Sequence, residues 1–393
     1  MTQSFEVFAM NILNENLLTQ ATTINVDAIE KQLTALWQQA STDEEHGGVT
    51  RASMFNLLVY VPSTAEAKKL DEILTDITAA RPCRAILIVA DGDAPEEMLT
   101  AEVTSRCTLP SASSKQVCCE QVTITAGGAQ ADEVPSAIAP LLLSDLPVYL
   151  WWHAVPRLQD KALFRHLVDL SDRVVIDSAS FRDQEADLAS MATVLKDTPR
   201  WTALSDLNWA RLTAWRALLA GFYDIGEYRP LLDQLKRVTI RYAPPAKDSA
   251  IISTRALLLG GWLASRLRWG VTPGQTKRTP GSTSLELSVD GRSFVLEFAH
   301  TRRDIEAGHL ALVTIESEAD EQIAFTVRRS ADGKRIETSV TRGEAKGVQR
   351  VLSYEGLTET ELIGKELEIL GHDRVYEQAV LAAGEMIKAI VSE

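Results

Sequence analysis

The sequence predicts an α/β protein: a mostly parallel, doubly wound sheet, followed by an α+β C-terminal region in which an antiparallel meander precedes two helices. Three observations lead there. From Met54 to Ser178, strand-like apolar runs alternate with helix-like ones, a pattern that implies βαβ crossovers and a sheet covered on both faces. Beyond Ser284, alternating runs are joined by Asp290–Gly291 and contain Asp332–Gly333, dipeptides that favour tight hairpins. Two helix-period stretches, Thr358–Leu370 and Arg374–Val391, close the chain.

Residues 1–24 show little pattern. Val26–Gln39 reads as a short amphipathic helix, and the "STDEEHGG" of Ser41–Gly48 as a linker. "MFNLLVYV" (Met54–Val61) is a strand and Arg84–Ala90 another. The helix between them takes Ser63 or Thr64 as its N-cap and places Leu70, Ile73, Leu74 and Ile77 on one face. Cys119–Ala126, Pro147–His153 and Arg173–Ser178 continue as strands, with helical Glu133–Leu143 and Lys161–Leu170 between them. Helices follow over Asp206–Tyr223, Glu227–Lys236 and Ser249–Arg268, with a strand at Arg237–Ala243. The turn-rich Gly270–Ser284 reads as a boundary. The expected organisation is an N-terminal arm and helix over 1–48, an α/β domain over 49–270 and an antiparallel sheet with helices over 281–393.

The composition narrows the function. With 393 residues, 45% of them hydrophobic, the chain can bury a sizeable core; its formal charge of −14 argues against nucleic acid or an anionic membrane as the main partner. Residues 1–30 contain no Lys or Arg, which does not fit a secretory leader, so a cytoplasmic protein is expected. The four cysteines, Cys83, Cys107, Cys118 and Cys119, lie in one window. The vicinal pair lacks the spacer of common zinc or redox motifs, so buried structural thiols are the first reading, with a redox role for Cys118 and Cys119 as the alternative.

No glycine-rich dinucleotide fingerprint, phosphate loop, nucleophile elbow or paired-histidine motif is present, and the six histidines are scattered. No catalytic residue, metal site or cofactor is expected. In an open parallel sheet, ligands bind beyond the carboxyl ends of the strands, where Asp91–Gly92–Asp93, His153 and Asp177–Ser178 would stand. Each has a structural reading too, since Asp and Ser start turns and cap helices.

Two segments are unusual. "SDLPVYLWWHAVP" (Ser144–Pro156) places Trp151, Trp152 and His153 at the end of a strand. "SDLNWARLTAWRALLAGFYD" (Ser205–Asp224) reads as a helix capped by Ser205, with Leu212, Trp215, Leu219 and Phe222 forming an apolar stripe and Asn208, Trp209, Arg211 and Arg216 beside it. Tryptophan and arginine are enriched where proteins anchor partners, but they also pack at the edges of cores. Both readings stand on composition alone.

Together with "RPCRAILIVAD" and "VCCEQVTI", these segments resemble, in order from about Arg81 to Asp224, the signatures of the glucose-6-phosphate dehydrogenase assembly protein family, often called OpcA. The resemblance implies a non-catalytic partner that binds glucose-6-phosphate dehydrogenase, stabilises its active oligomer and raises its activity in the oxidative pentose phosphate pathway. In photosynthetic bacteria it further implies redox control of that enzyme. The matched positions are Pro147, Trp151 and Trp152, then Asp206, Leu207, Asn208, Trp209, Arg211, Leu212, Trp215 and Arg216. The expected partner-binding set is accordingly Trp151, Trp152, His153, Asn208, Trp209, Arg211, Trp215 and Arg216. Two departures stand out: Ala214 occupies a position where the family pattern leads one to expect proline, and no cysteine follows Cys119. The competing readings are a sugar-phosphate or nucleotide-binding enzyme or sensor at the sheet's carboxyl edge, and a scaffold module for another client.

Overall fold

A computed structural model describes residues 22–23, 26–41, 49–108, 116–155, 162–197, 202–245, 250–302, 304–318, 322–343, 345–354, 356–369 and 371–392. The expected arm over residues 1–21, the linker over 42–48 and Arg303 lie outside them. The chain divides into two compact units, Met1–Leu146 and Pro147–Glu393. Residues 147–270 are therefore housed with the antiparallel sheet.

In the first unit, β1 (Thr22–Thr23), α1 (Val26–Ser41) and β2 (Val49–Arg51) precede β3 (Asn56–Val61), α2 (Thr64–Lys69), α3 (Asp71–Ala80) and β4 (Arg84–Asp91). Then come β5 (Met98–Thr108), β6 (Gln116–Gly127) and α4 (Val134–Ile138). Ser63 caps α2 through the Glu66 amide, as the sequence predicts. β3, β4 and β6 run parallel, and every side chain of β3 is buried, the continuous apolar run expected of a strand covered on both faces.

β5 was not legible in the sequence. It lies antiparallel on β6 and sets Cys107 directly opposite Cys118. A disulfide joins them, so the expectation of four structural thiols is corrected: Cys118 is bonded, whereas Cys83 and Cys119 are free and buried. Burial raises the pKa of both free thiols, which disfavours the reactive thiolate. Buried Arg84 meets buried Glu120 at 2.6 Å and donates to the Leu141 carbonyl at 2.6 Å.

The second unit opens with β7 (Val148–Trp152), α5 (Ala162–Asp169), β8 (Arg173–Ile176), α6 (Gln184–Asp197) and β9 (Ala203–Asp206), the three strands parallel in the order β7-β8-β9. α7 (Leu207–Ala210) and α8 (Thr213–Phe222) follow. The expected single helix from Ser205 is thus two. Its cap is Asp206, whose carboxylate accepts from the Asn208 amide, because Ser205 still belongs to β9. Pro230 limits the predicted Glu227–Lys236 helix to a 3-10 stretch over Gly226–Gln234.

β10 (Leu235–Tyr242), α9 (Thr254–Leu267), β11 (Gly270–Thr279), β12 (Ser282–Val289), β13 (Arg292–His300), β14 (Leu310–Glu318), β15 (Gln322–Arg329), β16 (Arg335–Arg342) and β17 (Ala345–Ser353) lead to α10 (Glu359–Glu366) and α11 (Arg374–Val391). Eight strands form one sheet in the order β11-β12-β13-β10-β14-β15-β16-β17, antiparallel except where β10 meets β13. Asp290 and Gly291 take φ of 48° and 78°, the left-handed pair that a two-residue hairpin requires.

The predicted boundary at Gly270–Ser284 is instead the β11–β12 hairpin. β11 is an edge strand, and a register shift between Val271 and Thr276 absorbs Pro273 and Gly274; edges and bulges are where a sheet tolerates proline. On the inner face, Val238, Ile240, Leu296, Phe298, Val313 and Phe325 are buried. α9 and α11 pack closely: a Cβ at Gly261 would stand 2.2 Å from the Ala379 carbonyl oxygen, so only glycine fits there.

Candidate functional site

The polar residues of the second unit converge where β8 and β9 end. Ile176 pairs with Asp206 across the two strands, so the turn Asp177–Ser178 and the start of α7 emerge side by side. Asp206 is fully buried. Its Oδ1 accepts from the amides of Ser178 (3.0 Å) and Asn208 (2.9 Å), and its Oδ2 from the hydroxyls of Ser178 (2.6 Å) and Tyr376 (3.3 Å). Burial, with the charge of Asp177 behind it, pushes its pKa up to about 6, while the Ser178 and Asn208 hydrogen bonds resist the rise.

From Asp206 the network runs outward. Asn208 donates to Ser178 Oγ at 3.2 Å and accepts from Arg255 Nε at 2.8 Å. Arg255 stands in the first turn of α9, which Ser253 caps through the Ala256 amide. Asp177 accepts from both terminal nitrogens of Arg211, at 2.8 and 2.9 Å, the bidentate geometry that suits guanidinium and carboxylate. Beside them, His309 Nδ1 accepts from Arg329 Nη1 at 2.8 Å while its Nε2 faces Glu306 at 3.1 Å. Burial and then the charges of Arg255, Arg329 and Arg211 press the His309 pKa down to about 3, so the ring is neutral, with its proton on Nε2.

The residues expected to meet a partner divide by exposure. Trp151, Trp152, Asn208, Trp209 and Trp215 are all less than 5% exposed. Trp152 packs edge-on against Phe164, and Trp151 against His153. Trp209 donates from Nε1 to Asp373 at 2.8 Å, the carboxylate that also caps α11 through the Val375 and Tyr376 amides. Its ring carries the Arg216 guanidinium at 3.5 Å from the centroid. His153, Arg211 and Arg216 remain half-exposed, and His153 Nε2 lies 3.3 Å from Glu359.

The sequence reading missed Arg255, His309 and Tyr376. The one local signal was Arg255, a charge inside the otherwise apolar "TRALLLGGWLA"; the other two are brought in by topology. Asp91 and Asp93, at the end of β4, are exposed. Among the described residues, no group of His, Cys, Asp and Glu is arranged to hold a metal ion, and no helix is long and apolar enough to cross a membrane.

Residues 74–193 match the family model described as the glucose-6-phosphate dehydrogenase subunit N-terminal domain, and residues 202–380 match its C-terminal domain. The chain is 30% identical over 330 residues to a protein of Nostoc punctiforme provisionally named OxPP cycle protein OpcA, covering 80% of this chain and 67% of that one. A protein of the same name from Synechocystis is 26% identical, covering 78% of this chain and 64% of the relative. The chain thus spans about two thirds of the length of these relatives. Among solved structures, the super-repressor mutant of Gal80p from Saccharomyces cerevisiae aligns over 87% of this chain and 96% of that one, with 9% identity and a TM-score of 0.46.

Proposed function

The chain belongs to the OpcA family of glucose-6-phosphate dehydrogenase assembly proteins, and from that premise we propose that it is a non-catalytic cytoplasmic partner that binds glucose-6-phosphate dehydrogenase, stabilises its active oligomer and raises its activity. The observation that carries this reading is the match of two consecutive family models, described as the N-terminal and C-terminal domains of a glucose-6-phosphate dehydrogenase subunit, over residues 74–193 and 202–380. An activator shifts an equilibrium only by binding the active form more tightly than the inactive one. That requires a broad surface.

The second unit offers one. On the outer face of its eight-stranded sheet, Glu297, Thr239, Thr314, Thr326 and Ser339 form a cross-strand row. Arg237–Glu297 and Arg328–Glu337 pairs, at 3.0 and 2.5 Å, lie beside it, and Val295, Leu312 and Ala324 on that face are half-exposed. In this reading the outer sheet face is one contact with the enzyme, and His153, Arg211 and Arg216, on the side of the helices that pack against the inner face, are another. Beneath them, Trp151 packs against His153 and Trp209 under Arg216, while Trp152, Asn208 and Trp215 are buried. The redox part of the reading moves from the Cys118–Cys119 pair to the Cys107–Cys118 disulfide.

The test mixes the purified chain with the glucose-6-phosphate dehydrogenase of the same organism, measuring oligomer size and activity at low substrate. A complex of higher mass with a lower KM or higher kcat is expected. Unchanged size and kinetics would sink the activator reading. Thr314→Arg with Thr326→Glu, an opposite-charge pair across β14 and β15 on the outer sheet face, should abolish the complex while leaving the melting temperature of the chain unchanged.

A further inference from the structure

We propose that the edge of β17 facing away from β16, within the Pro147–Glu393 unit, takes an extended acidic segment of a partner protein as an additional strand. β17 ends the eight-stranded sheet. The opposite end, β11, is protected: a register shift accommodates Pro273 and Gly274, and α11 packs against it, with Thr276 Oγ1 3.5 Å from the Ala389 carbonyl oxygen. The C-terminal half of β17 has neither device. Gln349–Ser353 pairs with Arg335–Ser339 in unbroken register, and β16 is the one element that β17 packs closely against among the described residues.

The register fixes which groups point outward. The Tyr354 amide donates to the Lys334 carbonyl at 2.7 Å, so Leu352 and Arg350 also turn their backbone groups toward β16, and alternation leaves the N–H and C=O of Val351 and Ser353 facing away from the sheet. Such a row of groups is a template for another strand. Val351 and Leu352 add apolar surface, being 52 and 43% exposed. Val351 stands beside Glu337 on the outer face and Leu352 beside buried Ile336 on the inner one.

Charge selects the occupant. Arg328, Arg335 and Arg342 are paired with Glu337, Asp332 and Glu227, whereas Arg350 is exposed and no carboxylate among the described residues pairs with it. β17 contains Lys346 and Arg350 and neither Asp nor Glu. Like charges on facing strands disfavour pairing and opposite charges favour it. The residues that discourage two copies from joining through this edge therefore attract a strand with a carboxylate opposite Arg350 and an apolar side chain opposite Val351.

The test uses the full chain without glucose-6-phosphate dehydrogenase, so its outcome does not depend on the activator reading. The probe is a fluorescein-labelled peptide of alternating glutamate and valine, about eight residues long as strands commonly are, followed by anisotropy. Saturable binding is expected, at least about tenfold tighter than for the same peptide with lysine in place of glutamate. Arg350→Glu should reverse that preference. Val351→Pro should remove binding without lowering the melting temperature, because proline there deletes only an outward-facing N–H. Should a variant fail to fold, the wild-type chain decides: the glutamate peptide N-methylated at its valines, the residues that face Val351, should not bind. No saturable binding, equal binding of the two peptides, an N-methylated peptide that binds like its parent, or a folded Val351→Pro protein that binds like wild type each overturn the proposal. So does a wild-type dimer that Val351→Pro converts to monomer, since the edge then belongs to a second copy.

Discussion

The ends of two parallel strands, β4 in the first unit and β8 in the second, begin from the same local chemistry and finish differently. After β4, Asp91 makes only a turn: its Oδ1 accepts from the Asp93 amide at 3.0 Å, its carbonyl from the Ala94 amide at 3.2 Å, and its side chain stays in water. After β8, Asp177 does the same toward Ala179 at 3.1 Å, but it also takes Arg211 bidentately, and next to it Ser178 closes onto fully buried Asp206. The difference lies in what arrives from elsewhere in the chain. Asn208, Arg255 and Tyr376 reach the second edge from three separate helices and turn a surface turn into an enclosed polar network. Enclosure is what gives charges there their leverage, because the same ion pair is worth little in water.

The largest expected effect tests whether that network is held by the aromatic motif beside it. Trp209→Ala combined with Arg216→Ala should cost about 3–5 kcal/mol in urea unfolding, by loss of a buried ring and of its tie to the α11 cap. A double variant that unfolds like wild type would show that the motif faces outward after all. Asp206→Ala should follow at about 3 kcal/mol, since it strands four donors in the interior, whereas Asp91→Ala should stay within about 0.5 kcal/mol. Equal costs at the two aspartates would erase the contrast between the edges.

Next in size is a test of the first unit, where a covalent tie stands beside the buried Arg84–Glu120 pair. Reducing the Cys107–Cys118 bond, which spans 11 residues of sequence, should lower the stability of that unit by about 2–3 kcal/mol. Thermal melts with and without dithiothreitol, in wild type and Cys118→Ser, check this: the reductant should act on wild type alone.

The smallest effect is one of pH. The folded pKa of Asp206 is raised, so the stability its carboxyl contributes is complete below its unfolded value and is lost as pH rises through about 6. His309 works the other way. Its folded pKa is lowered to about 3, so its contribution is present above its unfolded value near 6.5 and is lost as pH falls toward 3. Wild type should therefore lose about 1 kcal/mol relative to His309→Gln between pH 7 and pH 5.5. A pH-independent difference between the two proteins would mean that neither burial nor the arginines around it lower the pKa of that ring.

Much of the fold was legible because strands and helices announce themselves by period. β3, β4, β7, β8, the Asp290–Gly291 hairpin and the Ser63 cap follow from residues that are neighbours in sequence. The elements that escaped were those whose form depends on a partner strand. β5 carries Thr, Ser, Arg and Glu with only a weak apolar alternation, and β6 beside it makes it a strand. β11 holds proline and glycine that read as a boundary until an edge and a bulge accommodate them. The motif Ser205–Asp224 was recognisable as unusual, and it carried the family, but its own letters could not say which side of Trp209 would face Asp373.

By itself, then, the sequence determined the class of the chain, the identity of its family and the local geometry of most elements, since side-chain alternation, capping and turn chemistry act over a few residues. Only the tertiary structure decided that Cys107 would face Cys118, that five of the eight expected partner-binding residues would be enclosed, and that Ser178, Asp206, Asn208, Arg255 and Tyr376 would close one polar network. Those outcomes depend on which strand pairs with which and on which helix crosses which sheet. Such choices are made by burial summed over the whole unit, and no single stretch of sequence contains that sum.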